Sequence, residues 1–569
     1  MRSSSLKSKR CTCCLGCMIG SCPLIAVLLV GVSVSLLLLF PMVLRQQVEE
    51  RVVIQEGSAT FQQLLSPSVP VFKDIFFFNL SNPVEFEQGA KPQLVEIGPY
   101  SYRETREKTL LSISQDGSLL TYNQTRLFHF NQETTGEGLS ERDTICTVNI
   151  PLVAAVAQLE QEDQGALISA IGPRIINNIF DDTNARLFTC LPPTQLAFEY
   201  TDELLQELSS NFALSIAGQN IPTPFVSING NNTAGNSLPS VVQTGVGDLE
   251  AIGQYVQWQG NNGRLDVWPN EMGANDINGT EGLVFGPFLE PGDDLEIFLD
   301  DAVRSVQLVY TETVDDDGIE AYRYRIINST FESAFTNPAN ARWGSWCPDG
   351  MFFLGPTQEP VVPIFGSKPH FLDGDPMLRE KVDGLQPNRE EHDSFIDVEP
   401  LTGANVMLNV QLQINVQVNQ TDNFEQLENI DGTLYLPVLY ISQRTVLTQQ
   451  FVDFLLDNGL SAAYILPTVV RVLAGILIAG AVLSLVIALL ACCCLCGARR
   501  SKNTSKIQSP PTLVLADVLR PRAPPEVELV DERGAELDEE RQESWVSGSF
   551  NSGSFASSVE EGVYNADKN

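Results

Sequence analysis

The sequence predicts an α+β outer domain that two transmembrane helices hold at a membrane. Two long uncharged apolar runs lie near the ends of the chain. Between them, residues 407–418 alternate strictly between apolar and polar side chains, which predicts a long half-buried antiparallel strand. Residues 152–180 and 202–208 instead repeat apolar side chains at helical spacing. Strand signals on both flanks of a helical insert indicate the α+β class.

The composition and the motifs of the sequence argue against several classes of function. The 569 residues carry a net charge of −36, so no basic excess is available to displace counterions from a nucleic acid. The three histidines, His129, His370 and His392, leave little material for a histidine-based metal or catalytic centre. The motifs of serine hydrolases, phosphate-binding loops and zinc proteases do not occur. We therefore expect no enzyme activity, no cofactor and no nucleic-acid partner.

Residues 22–44 form the first predicted transmembrane helix, after a short cytosolic segment of residues 1–21. The run has 23 residues without a charge. At a rise of about 1.5 Å per residue it crosses a hydrocarbon core of about 30 Å. A cleaved signal peptide is the alternative, but the run is longer than the apolar part of a signal peptide, and no small-residue cleavage site follows it.

Residues 469–497 form the second predicted span. Basic residues precede the first span and follow the second, and an excess of basic residues marks the cytosolic side, so both termini are predicted to be cytosolic. Residues 45–468 then lie outside the cytosol, at the plasma membrane or in an endosome or lysosome. The tail, residues 498–569, is low in complexity and is predicted to be disordered.

Nine of the twelve cysteines lie at the two membrane boundaries. Palmitoylation of those near the cytosol is the preferred interpretation over zinc binding, because their spacings merge into apolar helix ends without histidine partners. The palmitoylation candidates are Cys11, Cys13, Cys14, Cys17, Cys492, Cys493, Cys494 and Cys496. The three outer cysteines, Cys146, Cys190 and Cys347, permit one disulfide and leave one thiol over, and their pairing stays open.

Six glycosylation sequons fall between the two spans, as expected for a segment outside the cytosol. The acceptors are Asn79, Asn123, Asn231, Asn278, Asn328 and Asn419. Acidic clusters at residues 293–294, 300–301 and 315–317 could hold calcium, but none keeps the spacing of an EF-hand loop, so solvated turns are preferred. His392 follows two glutamates and is either a pH-sensing group or, as we prefer, a hydrogen-bonded structural residue.

An ordered set of motifs resembles the class B scavenger receptor family, which includes the fatty acid translocase and lysosomal integral membrane protein two. The resemblance covers about residues 20–500. The motifs are FFFN at 76–79, NPVEFEQGAKP at 82–92, EIGPYSYRE at 96–104, WQG at 258–260, NDINGTEG at 275–282, FGPF at 285–288, KPHFL at 368–372, and DGLQP at 383–387, which continues through His392 to DVEPLTG at 397–403.

The resemblance implies an irregular antiparallel β-barrel, a helical apex bundle at residues 151–209, and an apolar tunnel toward the bilayer. A tunnel of this kind suits lipid, because each buried CH₂ gains about 0.8 kcal/mol. The apolar face of the alternating strand would line it, and ordinary barrel core is the preferred alternative role for any one of its residues. The tunnel candidates are Leu408, Val410, Leu412, Ile414 and Val416.

Two features depart from the animal pattern. The stretch 337–370 keeps only Cys347, so the several disulfides of animal members are not expected there. Residues 151–209 hold two basic and nine acidic side chains, a net charge of −7. An acidic apex argues against copying the ligand specificity of members that bind anionic particles through basic apex residues.

The leading interpretation is a receptor that binds fatty acids, sterols or phospholipids, or lipoprotein or microbial particles, and moves lipid through the tunnel to or from the membrane. The alternative is a lysosomal or endosomal sorting receptor that binds a soluble luminal protein through its helical apex and releases it at low pH. A two-helix ion channel is disfavoured because both spans have almost no polar pore-lining residues, and a membrane hydrolase because no nucleophile and base are evident.

Overall fold

The computed structural model describes residues 3–67, 69–160, 166–211, 225–227, 238–268, 273–343, 347–357, 362–456 and 461–504. Residues 1–495 form one compact unit, which the following paragraphs describe. The sequon at Asn231 and tail residues 505–569 lie outside the described residues.

Eleven α-helices are described. They are α1 (Ser3–Val52), α2 (Ala59–Leu65), α3 (Pro83–Glu87), α4 (Ile150–Leu159), α5 (Ala166–Thr183), α6 (Pro193–Ala197), α7 (Glu203–Ser210), α8 (Met377–Glu380), α9 (Arg389–His392), α10 (Gln449–Leu455) and α11 (Ser461–Thr504). Short 3₁₀ helices cover Asn328–Phe331, Pro338–Trp343, Gly355–Thr357 and Pro369–Phe371.

The described strands number eighteen. They are β1 (Val71–Leu80), β2 (Leu94–Ile113), β3 (Leu119–Phe130), β4 (Ile145–Val148), β5 (Phe188–Leu191), β6 (Glu199–Thr201), β7 (Phe225–Ser227), β8 (Ser240–Gln243), β9 (Tyr255–Trp258), β10 (Asn261–Asn262), β11 (Leu295–Leu299), β12 (Arg304–Asp316), β13 (Ile319–Ile326), β14 (Met351–Phe353), β15 (Ile364–Ser367), β16 (Phe395–Val398), β17 (Asn405–Asn419) and β18 (Thr433–Thr445).

Fourteen of these strands form one antiparallel sheet. Its order is β10-β9-β8-β3-β2-β1-β18-β17-β16-β13-β12-β11, and β15 joins β17 as a branch that also carries β14. The first and last outer-domain strands, β1 and β18, are neighbours in its middle. The end strands β10 and β11 do not pair with each other. Between the two ends of the sheet, Thr280 forms a single bridge with Gln254, next to β9, and another with Ile297 of β11. The mixed class is confirmed, whereas the sheet does not close into the expected barrel.

Strand β17 contains the alternating segment that predicted it, with a bulge between Ile414 and Asn415 opposite β18. Its apolar face packs into the main core, as expected. Its polar face is also buried beside the neighbouring strand β15: Gln413 and Asn415 have no exposed surface, and both donate to the hydroxyl of Ser367. The expected half-buried strand is therefore buried on both faces over this stretch.

Helices α4, α5 and α7 pack together and contribute to the main core. Asn149 caps α4 by accepting a hydrogen bond from the Leu152 amide. The helical face of α5 buries Ile176 and Ile179, whereas Ile171, one of the spaced isoleucines, is 44% exposed. Helical spacing therefore identified the helix but not every residue of its buried face.

Helices α1 and α11 contain the two stretches that are long and apolar enough to cross a membrane, Gly20–Val52 and Tyr464–Cys496. They contact each other in antiparallel fashion through small side chains. The Ser33 hydroxyl donates to the Ala474 carbonyl at 3.4 Å, and the Ser484 hydroxyl donates to the Cys22 carbonyl at 3.1 Å. Antiparallel packing is what two spans with their outer ends on the same side require.

Helix α1 continues past the predicted span into the outer domain. Val48 and Val52 are buried in a second core, where Ile54 and Leu64 pack with them. At the other span, the Tyr464 hydroxyl donates to Glu399 at 2.9 Å. Both membrane helices are thus anchored in the outer domain by side chains outside the predicted spans 22–44 and 469–497.

Candidate functional site

A membrane-proximal cavity of about 440 Å³ lies where the two membrane helices meet the outer domain. Its volume falls within the range of small-molecule sites. Helix α1 supplies one wall, α2 and α10 supply others, and the loops before β11 and β17 complete it. Its apolar lining includes Phe40, Val43, Leu44, Val48, Leu64, Val284, Leu401, Phe451, Leu455 and Leu466. Arg51 is the charged residue of the lining, and Gln47 and Gln63 are among its uncharged polar residues.

The inner cavity, about 90 Å³, lies on the apolar face of β17. Leu408, Val410 and Leu412 of the tunnel candidates line it. Ile414 and Val416 are not in its lining and are buried in the main core, with exposures of 8% and 0%. Among the described residues, none lines both this cavity and the membrane-proximal cavity, so the expected continuous tunnel is not seen.

The wall of the inner cavity opposite β17 is charged. It contains Arg106, Arg126, Glu281, Asp300 and Asp301. Arg126 Nε donates to Glu104 at 2.7 Å, and Arg106 donates to the same carboxylate at 2.9 Å. Sequence reasoning missed this network, although the alternating charges in strand β2 were a visible signal.

The pKa values of two carboxyl groups in this network are shifted in opposite directions. Burial alone would raise the pKa of Glu104, but Arg106 and Arg126 outweigh burial and hold that pKa well below its usual range. Burial raises the pKa of Asp300 to about 6, while Arg126 and Arg106 oppose the shift. The inner cavity therefore has one apolar wall and one wall of paired charges.

The histidine cleft is a third space, of about 810 Å³, on the polar face of β17. The rings of His370 and His392 stack there, with centroids 4.3 Å apart and planes at 19°. His370 Nε2 lies 2.8 Å from Glu96, which also accepts the Tyr440 hydroxyl at 2.9 Å. Two of the three histidines in the chain thus meet. Their positions in two of the family-like motif regions were the only signal for this.

The hydrogen bonds fix the protonation pattern of both rings. The Gln386 amide donates to His370 Nδ1 at 3.1 Å, and the Asn388 amide donates to His392 Nδ1 at 3.0 Å. Since a backbone amide can only donate, each Nδ1 carries a lone pair and each Nε2 carries the proton. The ligand atoms of Glu96 and the two histidines lie within 4.8 Å of one another. The rings nevertheless do not fit a metal ion, which needs a free lone pair on Nε2.

Neighbouring groups shift the pKa values in the histidine cleft. Burial lowers the pKa of His392, and a charge on His370 would lower it further, while Glu96 and Glu391 raise it. Burial alone would raise the pKa of Glu96, but the hydrogen bonds from His370 and Tyr440 outweigh it. The neutral imidazole of His392 and the ionised carboxylate of Glu96 are therefore favoured.

Cys146 and Cys190 face each other across β4 and β5 and form a disulfide. Cys347 is a free, buried thiol. The Cys492, Cys493, Cys494 and Cys496 side chains are exposed, and the backbone of Cys11, Cys13, Cys14 and Cys17 is helical. Palmitoylation of these eight cysteines stays a prediction.

The sequon asparagines differ in exposure. Asn278, Asn328 and Asn419 are exposed, whereas Asn79 and Asn123 are partly buried within strands β1 and β3. The carbonyl oxygen of the Asn79 side chain accepts the Cys146 amide at 2.8 Å. Glycosylation at each of these positions stays a prediction.

Two apolar spans around one large outer domain define a two-pass membrane protein. The CD36 family model matches residues 24–492. The chain is 30% identical to lysosome membrane protein 2 of Rattus norvegicus, over 75% of this chain and 86% of that protein. It is 29% identical to scavenger receptor class B member 1 of Sus scrofa, over 74% and 79%. It is 28% identical to sensory neuron membrane protein 1 of Plutella xylostella, over 73% and 80%. The chain belongs to the CD36 family.

Proposed function

We propose that this protein is a receptor that binds lipid and transfers it between the outer domain and the membrane, without catalysis. Fatty acids, sterols and phospholipids are the ligand class, delivered free or on lipoprotein or microbial particles. The observation that carries the proposal is the membrane-proximal cavity of about 440 Å³. A lipid chain that leaves water there gains about 0.8 kcal/mol per buried CH₂.

The position of this cavity supports exchange with the bilayer. Phe40, Val43 and Leu44 belong to an apolar stretch of α1, and Leu466 lies in the first turns of α11. The same wall continues into the outer domain through Leu401 and Val406. An alkyl chain can therefore stay in contact with apolar side chains from the membrane boundary into the outer domain.

Filling the cavity tests the proposal. Ala59 lines the cavity, so Ala59→Trp places an indole in it. Ala90 is exposed and outside the lining, so Ala90→Trp is the matched control. We expect full-length Ala59→Trp in lipid vesicles to transfer a fluorescent 16-carbon fatty acid several-fold more slowly than Ala90→Trp. Equal rates for two folded variants would overturn the proposal.

A second measurement identifies the ligand and does not depend on the variant. Lipid extracted from the purified full-length chain, after exchange into lipid-free detergent, is identified and counted by mass spectrometry. One or more bound lipids per chain would support the proposal. A folded chain without bound lipid that also fails to take up added fatty acid would contradict it.

A further inference from the structure

The histidine cleft contains a hydrogen-bond donor that no described residue uses. Because Nδ1 of His392 accepts the Asn388 amide, the proton of this neutral ring lies on Nε2. That N–H has no hydrogen-bond partner among the residues that the structure describes, although His392 is only 5% exposed and lines the cleft. A nearly buried donor without a partner is costly, so an acceptor bound in the cleft would be stabilised there.

Carboxylates line the same cleft, and an ionised carboxylate can only accept hydrogen bonds. Glu96, Glu390 and Glu391 lie in the lining, and none of the three forms an ion pair with a lysine or arginine of the described ranges. A fourth carboxylate, Asp74, is paired with Arg444. The cleft thus offers three carboxylates whose charge is not offset by an ion pair.

The carboxamide of Gln411 adds an acceptor without a partner. Its nitrogen donates to the Glu391 carbonyl at 2.7 Å, which fixes the orientation of the carboxamide beside α9. Gln411 is 5% exposed and lines the cleft, and its side-chain oxygen has no hydrogen-bond partner. The cleft wall therefore holds an unpaired donor, on His392, and an unpaired acceptor, on Gln411.

Aromatic side chains form a further part of the wall. The rings of Phe76 and Tyr440 stack with centroids 4.4 Å apart and planes at 7°, and both residues line the cleft. Phe76 is only partly buried. Such rings give a ligand a large apolar contact area at a low cost in side-chain entropy. The cleft combines this apolar contact with the polar groups of α9 and β17.

We infer that the histidine cleft binds a neutral saccharide. A cationic ligand would satisfy the carboxylates but would meet the N–H of His392 with a positive charge. An anionic ligand would satisfy that N–H but would face three carboxylates. A hydroxyl group both accepts and donates, so neighbouring hydroxyls of one sugar ring can serve both sets of groups. The apolar C–H groups of the same ring can pack against the aromatic wall.

The inferred site is separate from the site of the proposed function. Among the described residues, none lines both the histidine cleft and the membrane-proximal cavity. The volume of the cleft, about 810 Å³, is within the range of small-molecule sites. Saccharide binding therefore does not rest on lipid transfer.

Calorimetric titration of the full-length chain in lipid nanodiscs at pH 7.4 tests the inference. The chain is first deglycosylated enzymatically, so that no glycan of its own can occupy the cleft. The probes are three neutral trisaccharides, maltotriose, mannotriose and triacetylchitotriose, with trigalacturonate as the anionic comparison. We expect at least one neutral trisaccharide to bind, and trigalacturonate to bind at least tenfold more weakly. Failure of all three neutral probes, or equal binding of trigalacturonate, would overturn the inference.

The same titration with the glycosylated chain identifies the source of the sugar. Binding by both forms of the chain would assign the cleft to a saccharide carried by another molecule. Binding by the deglycosylated form alone would assign it to an N-glycan of the chain itself. Either result supports a saccharide site.

Removal of two acceptors tests the role of α9. Glu390 and Glu391 are exposed, so Glu390→Ala/Glu391→Ala should keep the fold. We expect this variant to bind the best neutral trisaccharide roughly tenfold more weakly, the factor expected for the loss of two hydrogen bonds. Glu425→Ala/Glu428→Ala, which changes two exposed glutamates outside the lining, is the matched control and should bind like the unmodified chain. Equal binding by the two double variants would contradict the assignment.

A bulky side chain at the cleft separates this inference from the proposed function. Val95 lines the cleft and is 50% exposed, whereas Val84 is 43% exposed and lies outside the lining. Val95→Trp should abolish trisaccharide binding, Val84→Trp should keep it, and both should transfer fatty acid at the same rate. Undiminished trisaccharide binding by Val95→Trp would overturn the site. Saccharide binding without any lipid transfer would keep the site and contradict the proposed function.

Discussion

Arg323 and Asp397 face each other across β13 and β16 and form a two-point ion pair. The Nε atom of Arg323 donates to one carboxylate oxygen at 2.8 Å, and a terminal nitrogen donates to the other at 2.6 Å. Asp397 has no exposed surface, and the guanidinium also lies 4.1 Å from the Phe395 ring centroid. This pair ties β16, the strand that leads into DVEPLTG, to its neighbour β13 in the sheet.

Loss of the guanidinium leaves a buried carboxylate without its partner. We expect Arg323→Met to lower the free energy of unfolding by about 3–5 kcal/mol, the usual effect of breaking a buried pair. The exposed pair between Arg45 and Glu49 offers a control, because Arg45→Met should cost at most about 1 kcal/mol. Denaturant titration of both variants measures the difference. Equal stability losses would contradict this account.

Asp316 gives the stability a pH dependence. Burial and the neighbouring charge of Asp397 raise the pKa of Asp316 to about 6. The folded state therefore binds this proton more tightly than the unfolded state, and the stabilisation fades as the pH rises through about 6. We expect Asp316→Asn to be more stable than the unmodified chain at pH 7.5, with the gain shrinking toward pH 4. Thermal unfolding at the two pH values measures this, and a gain that grows on acidification would refute it.

The outer cysteines should differ in reactivity. Burial raises the pKa of the Cys347 thiol to about 11, so little reactive thiolate forms at neutral pH. A membrane-impermeant maleimide applied to intact cells should not label the native outer domain, and should label one outer thiol after denaturation. Labelling of Cys347 in the native chain would contradict this prediction.

Removal of the disulfide by Cys146→Ser/Cys190→Ser should lower the free energy of unfolding by about 2–5 kcal/mol.

Two neighbouring positions of β17 should respond differently to added bulk. Leu412 lines the inner cavity, so Leu412→Phe should fill part of it with little loss of stability. Ile414 packs in the closed core, so Ile414→Phe should lower the free energy of unfolding by about 1–3 kcal/mol through overpacking. Denaturant titrations of both variants measure the difference. A larger loss of stability for Leu412→Phe than for Ile414→Phe would contradict this assignment.

Glycan occupancy should follow exposure. Asn278, Asn328 and Asn419 are open to solvent, so we expect higher occupancy there than at Asn79 and Asn123, which lie partly buried in strands. Glycopeptide mass spectrometry of the chain from secreting cells measures each position. Higher occupancy at Asn79 than at Asn278 would contradict the ranking.

Local periodicity predicted the helices and strands whose structure is decided by residues close to them in the sequence. The apolar runs predicted both spans, and the alternation in residues 407–418 predicted β17. Burial of Gln413 and Asn415 on the polar face of β17 was not predictable, because partners of their side chains lie on β15, about 50 residues away in the sequence. The contact between His370 and Glu96 joins positions 274 residues apart. No local pattern encodes such contacts, so the histidine cleft appeared only when the chain was folded.

The pairing of β1 with β18 has a mechanical consequence. Val71 lies opposite Thr445, so the outer domain starts and finishes at the two ends of one rung of the ladder. Because both membrane helices attach at this end, a force that pulls them apart would open the seven rungs one after another, the unzipping geometry, which resists rupture least. Lateral tension that separates the two anchors should therefore act first on the rung at Val71 and Thr445. Because these two residues are partners, the excised outer domain could be closed into a ring by a linker of a few residues.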